Sequence, residues 1–352
     1  MKHKNNNISH IILLLVFILI AVVTLAIISI SEEDLEEVSA PVPPHLYSSS
    51  QQVIGTGNKL GTYFPGGQLL AKWFNDHVDK SGGSFKAFET NGSIDNVKLL
   101  NSKIIQFGMA EARIVKEAYK ENSNIRVVWP LWVDVVQIIR PPQKFVPDYV
   151  FPGDNRGFWG QKNSSTARTT KEILDALKIN SKPSKYIPMN SIISYVGDGK
   201  LGFAMIQAGI PNHSVSDSLL FYNCELISFT PEQLDLIRSK VSTSMNYRLP
   251  AGYYKEDQPE INTIALPNVL VSTTETSPEL VEFVAEMVLS GSQKLKGRFK
   301  AFETVPQNKE SIVKILGETG VPLHEGTRRW LQKMSNQFET SDSNSNNGGE
   351  LK

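Results

Sequence analysis

The sequence predicts a two-lobed α/β body carried behind an N-terminal membrane segment. Three observations predict it. Apolar, strand-length runs alternate with helix-period segments through the middle of the chain, the pattern of a sheet covered by helices. A Pro- and Gly-rich stretch, opened by Arg140, Pro141 and Pro142 and running to Gly157, interrupts that alternation, and a second series follows it. Residues 11–30, IILLLVFILIAVVTLAIISI, hold no charge.

The apolar segment sets the address. As a helix it would extend about 30 Å, enough to cross a bilayer core. Lys2, His3 and Lys4 precede it; Glu32, Glu33, Asp34, Glu36 and Glu37 follow it. The basic end stays cytoplasmic, so residues 1–10 are expected inside and the body outside. The expectation is a single-pass protein of the inner (cytoplasmic) membrane with its body on the periplasmic or extracellular side. A cleaved signal peptide is the alternative, but its apolar core is usually about 7–15 residues. Residues 31–51, acidic and then rich in Pro and Ser, read as a tether, and residues 338–352 as a polar, disordered tail. Cys224 is the only cysteine, so no internal disulfide exists, and its apolar neighbours predict a buried, inert thiol. A formal net charge of zero favours no nucleic-acid partner.

In the body, residues 52–56, 84–89, 104–109, 125–130 and 133–140 read as strands. Helices fall at 65–80, 93–101 and 111–120. That order implies a mostly parallel sheet with helices on both faces. The second series begins at 157–161 and 165–177 and continues through 189–196, 202–206, 215–223 and 225–229. The chain turns strand-like again at 261–271, with helices at 278–289 and 325–334. Residues 52–142 and 250–337 thus make one lobe, interrupted by a second at 143–249. Two segments cross between them, and the cleft can close by hinge bending. FKAFET occurs twice, at 85–90 and 299–304, with unmatched flanks; it reads as coincidence.

The segment VIGTGNKLGTYFPGGQLLAKWF, residues 53–74, couples a strand to a helix through a Gly-rich turn. Gly57 lets backbone approach a ligand, while Thr62 and Tyr63 fall at the helix start. Unpaired N–H groups and the positive dipole end there suit a carboxylate or phosphate. A dinucleotide fingerprint is disfavoured: the glycines run G-x-G-x-x-x-G, one residue too long, and Asp76 lies inside the helix. A plain turn is the other reading. A second junction, GQKNSSTARTTKEILDAL at 160–177, places Ser164, Ser165 and Thr166 where hydroxyls cap a helix or face a ligand. Glu111 and Arg113 follow a strand end, where open sheets bind ligands, or else form a solvated helix start. His77, His213 and His324 have no carboxylate or thiol at motif spacing, and H-E-x-x-H, C-x-x-C and G-x-S-x-G are all missing. The expectation is therefore a non-enzyme without cofactor or catalytic metal.

Several of these segments match one family in order: IGTGNKLGTYFPGGQLLA (54–71), ETNGSIDNVKLLNS (89–102), GQKNSST (160–166), FAMIQAGIPN (203–212), LPAGYYKEDQPEINTIALPNVLVS (249–272) and PLHEGTRRW (322–330). The chain resembles the TAXI-type solute receptors of TRAP transporters. The resemblance implies a periplasmic-binding-protein-like type II fold. It implies capture of a small carboxylate of the glutamate or 2-oxoglutarate class, handed to a TRAP permease membrane subunit. It points to Gly57, Thr62 and Tyr63 in one lobe, and to Ser164, Ser165, Thr166, Ala208 and Gly209 in the other. Departures are Asn58-Lys59-Leu60 after the first G-T-G, and Glu111-Ala112-Arg113 where the family carries Gln-Ser-Asp. A sensor or assembly module without transport is the alternative role.

Overall fold

A ten-stranded mixed sheet organises the chain. The computed structural model describes residues 51–59, 61–78, 83–142, 156–161, 164–183, 187 and 191–334. The expected membrane segment, tether and tail lie outside these residues.

The first part runs β1 (Gln51–Gly55), α1 (Tyr63–His77), β2 (Ser84–Phe88), α2 (Ser93–Asn101), β3 (Phe107–Glu111), α3 (Ala112–Glu121) and β4 (Ile125–Arg140). The middle part runs β5 (Arg156–Phe158), α4 (Ser165–Ala176), β6 (Lys182–Pro183), α5 (Ile192–Gly197), β7 (Phe203–Ala208), α6 (His213–Phe221), β8 (Glu225–Leu226), α7 (Pro231–Lys240) and β9 (Met245–Leu249). The chain ends with β10 (Ile261–Thr273), α8 (Pro278–Leu295), a 3-10 turn (Lys300–Thr304), α9 (Lys309–Thr319) and α10 (325–334). Strand order is β2-β1-β3-β10-β4-β7-β5-β6, with β8 against β4 and β9 against β10.

Two expectations need correction. The sheet is not mostly parallel: among the described residues four pairings are parallel and five antiparallel. Strand-helix alternation does turn β4 the same way as β3, but β10 is inserted between them and runs against both. Residues 125–130 and 133–140 are also one strand, not two. Proline lacks the N–H a ladder needs, so Pro130 would interrupt a regular strand. Here it sits at a bulge. Pro130 pairs with Val269 and Val133 with Pro267, so Leu131 and Trp132 together oppose the single residue Asn268. A bulge re-aims side chains, and this one turns Trp132 and Asn268 into the site described below.

Alternation along β7 explains how the second half is covered on both faces. Phe203 and Met205 pack with Ile173, Leu174, Leu234 and Ile237 of α4 and α7. Ala204, Ile206 and Ala208 pack with Ile192, Val196, Val215 and Leu219 of α5 and α6. A strand buried on both faces reads as a continuous apolar run, as FAMI does. In the first half, Phe74, Phe85 and Phe283 stack edge-on or offset, joining α1, β2 and α8. Gly66 lets α1 approach: a Cβ there would stand 2.6 Å from the Trp132 ring.

Asn96 fixes the loops at the strand ends. Its Nδ2 donates to the Thr56 and Met109 carbonyls, both at 2.7 Å, and its Oδ1 accepts from Thr90 Oγ1 at 2.7 Å. The side chain is fully buried. Asn96→Ala removes three buried hydrogen bonds, although Thr90 Oγ1 can still donate to the Thr56 carbonyl at 3.0 Å, and urea denaturation should show a loss of about 2–4 kcal/mol. Lys72→Ala, which removes the exposed pair with Asp76, should change stability by less than about 0.5 kcal/mol.

Candidate functional site

Thr62, Tyr63, Glu111 and Gly209 lie around the bulge where β3, β10 and β4 run side by side, whereas Ser164, Ser165 and Thr166 lie at the start of α4. Thr62 precedes α1, but its side chain makes no cap; its Oγ1 instead accepts from the Gly209 N–H at 3.0 Å. This bond joins the turn after β1 to the turn after β7. Only glycine fits at 209, since a Cβ would lie 2.6 Å from Thr62 Cγ2 and 3.0 Å from Ala301 Cβ. Tyr63 is buried, donates from its hydroxyl to Asn268 Oδ1 at 2.5 Å, and lies 3.3 Å from Ser93 Oγ. Burial, then the Asp134 charge, pushes its phenol well above the usual range. Gly57 packs under the Tyr63 side chain.

Glu111 and Arg113 are 0% and 1% exposed, so the solvated-start reading does not hold. Glu111 ends β3, and its N–H donates to Ser93 Oγ at 3.1 Å. Its Oε1 lies 2.8 Å from Arg113 Nε, and its Oε2 accepts from Gln207 Nε2 at 2.8 Å. Burial raises the Glu111 pKa, with the Arg113 guanidinium opposing. Arg113 also pairs with Glu172 and donates from Nη2 to Thr169 Oγ1 at 2.9 Å, both on α4. Arg168 continues the bridge, pairing with Glu172 at 3.0 Å and with Glu117 of α3. Four elements of the two chain halves are therefore held by charge-assisted contacts.

Ser165 joins this network through its carbonyl, which accepts from Thr169 Oγ1. Ser164 acts as the cap of α4, accepting from the Ala167 N–H at 3.1 Å, and the Thr166 carbonyl accepts from Thr170 Oγ1. No ligand role for these two is visible in their contacts. Ala208 is buried as the last residue of β7.

Residues that sequence reasoning missed complete the site. Asp134 of β4 is 7% exposed, and burial and then the Glu111 charge push its carboxyl up to about 7. Asn268, Trp132 and the Gly209 N–H lie near enough to oppose that rise. Geometry in the cluster is loose: Asp134 Oδ1, Asn268 Nδ2, Trp132 Nε1 and Gln207 Oε1 make no well-aligned hydrogen bond, and neither do Glu111 Oε1 and Arg113 Nε of the adjoining ion pair. Trp132 is held edge-on by Tyr63, Phe299 and Phe302. Lone polar residues in apolar strands, Asp134 in WVDVV and Asn268 in LPNVL, were the available signal, since burying such groups is costly without a purpose.

The remaining candidates are structural. Burial pushes the Cys224 thiol up to about 12, so it stays protonated and unreactive. His324 is buried, with Nε2 3.2 Å from the Thr273 carbonyl and Nδ1 accepting from the Gly326 N–H. Tyr254 donates to Gln137 Oε1 and accepts from the Asn212 N–H. Two surface grooves, about 480 and 360 Å³, line α1 with β2 and the start of α8; neither includes an expected site residue.

A mixed α/β sheet with a buried polar cluster at its central bulge is the class of structure these observations define. Residues 54–333 match the NMT1-like family, and the chain belongs to that family. Among solved structures, it is similar to PhnD1 from Prochlorococcus marinus in complex with methylphosphonate. That match has 12% identity and a TM-score of 0.47, covering 77% of this chain and 97% of that one. It is also similar to the zinc-bound ligand-binding component of an ABC-type import system from Staphylococcus aureus, with 13% identity, a TM-score of 0.45 and coverage of 82% and 93%. A third is an ABC transporter from Parabacteroides distasonis, with 9% identity, a TM-score of 0.45 and coverage of 86% and 96%.

Asp134 makes a signed prediction. Its carboxyl holds its proton more tightly in the folded chain than in the unfolded one. The stability it contributes is full below about pH 4 and is lost as pH rises through about 7. Asp134→Asn should therefore leave stability unchanged near pH 4 and raise it by a few kcal/mol, roughly, at pH 8. Urea titrations of both proteins at the two pH values measure this.

Proposed function

We propose that this chain is a membrane-tethered solute receptor that captures a small carboxylate outside the cytoplasm, on the periplasmic or extracellular side, and delivers it to a TRAP-type permease. Residues 11–30 anchor it, and the body works as two lobes, 52–142 with 250–337 and 143–249, that close on the guest. The ordered motifs shared with TAXI-type receptors support the transporter type. One observation carries the binding role: the Gly209 N–H meets Thr62 Oγ1 across the chain halves, directly beside the buried acid Asp134 with Asn268 and Trp132 around it. An acid buried between apolar strand residues is costly and marks a place kept for another purpose. Thr62, Tyr63 and Gly209 supply neutral contacts for a carboxylate, with Gly57 and Ala208 shaping the backbone around them. Glu111 and Arg113 form the floor. Ser164, Ser165 and Thr166 present the second helix start.

Full-length protein in detergent should melt a few degrees higher with millimolar glutamate or another small carboxylate, because a ligand that binds only the folded state stabilises it by mass action. Thr62→Ala should shrink that response. No shift across a panel of amino and keto acids counts against the proposal.

A second reading, a sensor or assembly module without transport, is favoured by one specific contact set. Arg113 is already neutralised by Glu111 and Glu172, so its charge is not available to a guest. Small-angle scattering separates the two. A receptor's radius of gyration should shrink when solute is added, and a fixed module's should not change.

A further inference from the structure

We infer that the groove at the start of α8 is the seat of this chain's own segment 43–50, PPHLYSSS, with Leu46 and Tyr47 as the side chains that enter it. This surface lies at the end of the sheet away from the bulge, and its occupancy needs no solute.

Position favours this occupant. The groove, about 360 Å³, lies between the turn that joins α2 to β3 and the turn that joins β10 to α8, and Gln52 lines it. β1 begins at Gln51, and its start is clamped. The Val53 N–H donates to Gln106 Oε1 at 2.9 Å, and the Gln106 N–H donates to the Val53 carbonyl at 3.1 Å. The other end of β1 leads to Gly57 and Thr62, so the chain that precedes Gln51 leaves the sheet at the groove's own edge. Segment 43–50 thus reaches the groove with almost no loop to close, and a distant segment would lose far more entropy.

Chemistry favours it too. Leu100 and Ile105 give the groove an apolar floor, and Leu280 stands half-buried in one wall. Lys103 and Glu275 link the two walls at 2.8 Å. Gln52 Oε1 is buried and accepts no hydrogen bond among the described residues. Leu46 and Tyr47 are the bulky apolar pair nearest β1, set between Pro43-Pro44 and three serines. A leucine and a tyrosine ring suit the floor, and a tyrosine or serine hydroxyl is the donor that Gln52 lacks. The segment holds no Asp, Glu, Lys or Arg, so seating it desolvates none of these charges. The acidic run at 32–37 would carry five into the same place. Proline narrows the freedom of the segment beforehand, so less is lost on seating.

On the membrane-anchor reading, the seat sets reach. Residues 31–50, fully extended, would let the body stand off by about 70 Å, and residues 31–42 alone by about 40 Å. The groove thereby shortens the leash on which the receptor meets its permease.

Chymotrypsin digestion of the full-length protein in detergent tests the seat. Cleavage after Tyr47 should be at least about tenfold slower than in a free peptide spanning 41–52, because the protease acts on the opened fraction. Leu280→Glu, which puts a charge in the groove wall, should bring the rate close to that of the peptide. Leu46→Ser should do the same relative to a peptide with the same change, and it lies outside the folded body, so lost protection there is not unfolding. Cleavage of the unaltered protein at the peptide's rate overturns the inference. So does protection that survives Leu46→Ser. Protection confined to a dimer by native mass spectrometry also overturns it, since a second copy then fills the groove. None of these outcomes bears on whether a solute binds.

Discussion

The structure depends on keeping a guanidinium charge out of water. Arg113 is 1% exposed, and it survives there because Glu111, Glu172 and the Thr169 hydroxyl meet its donors from three directions. Removing one partner from a buried ion pair costs about 3–5 kcal/mol, since the other charge is left without compensation. The partners come from β3 and from α4, segments separated by more than fifty residues of chain. Their meeting holds the two halves of the sheet in one arrangement. Arg168, with Glu117 and Glu172, extends the contact toward the surface, where screening makes each pair worth less.

Next to this ion-pair cluster lies a second buried acid. Asn268, Trp132 and the Gly209 N–H face Asp134, while burial and the Glu111 charge push its carboxyl up to about 7. Glu111 links the two clusters, paired with Arg113 on one side and raising Asp134 on the other. Keeping an acid buried among apolar strand residues is costly, and an apolar residue in its place would cost little.

Much of the architecture was legible in the sequence. Strand-helix alternation gave most elements to within a few residues, because amphipathic periodicity reports burial directly. Two failures have physical causes, and one repeat was rightly set aside. Pro130 read as a strand end, since nothing local announces a bulge. The inserted β10 reversed the sheet's middle, and strand direction is set by long-range pairing that no local window contains. FKAFET is β-strand at Phe85–Phe88 and a 3-10 turn around Lys300–Thr304, so neighbours rather than letters decided its conformation. Of the candidate site, Thr62, Tyr63, Glu111 and Arg113 were singled out from turn chemistry and a strand end, and Gly209 only through the family resemblance. Asp134 and Asn268 were missed because the strand reading treated 133–140 and 261–271 as uniform apolar runs. The lone acid and lone amide within them carried the message.

The bulge has one more consequence. Leu131 and Trp132 face the single residue Asn268, so the two longest strands lose register beside the buried acid Asp134. A ladder is least regular at such a point, and this one lies in the middle of the two strands that join the parts of the sheet. The irregularity and the polar cluster are the same few residues, so a substitution at Asn268 or Trp132 alters strand pairing and the surroundings of Asp134 together.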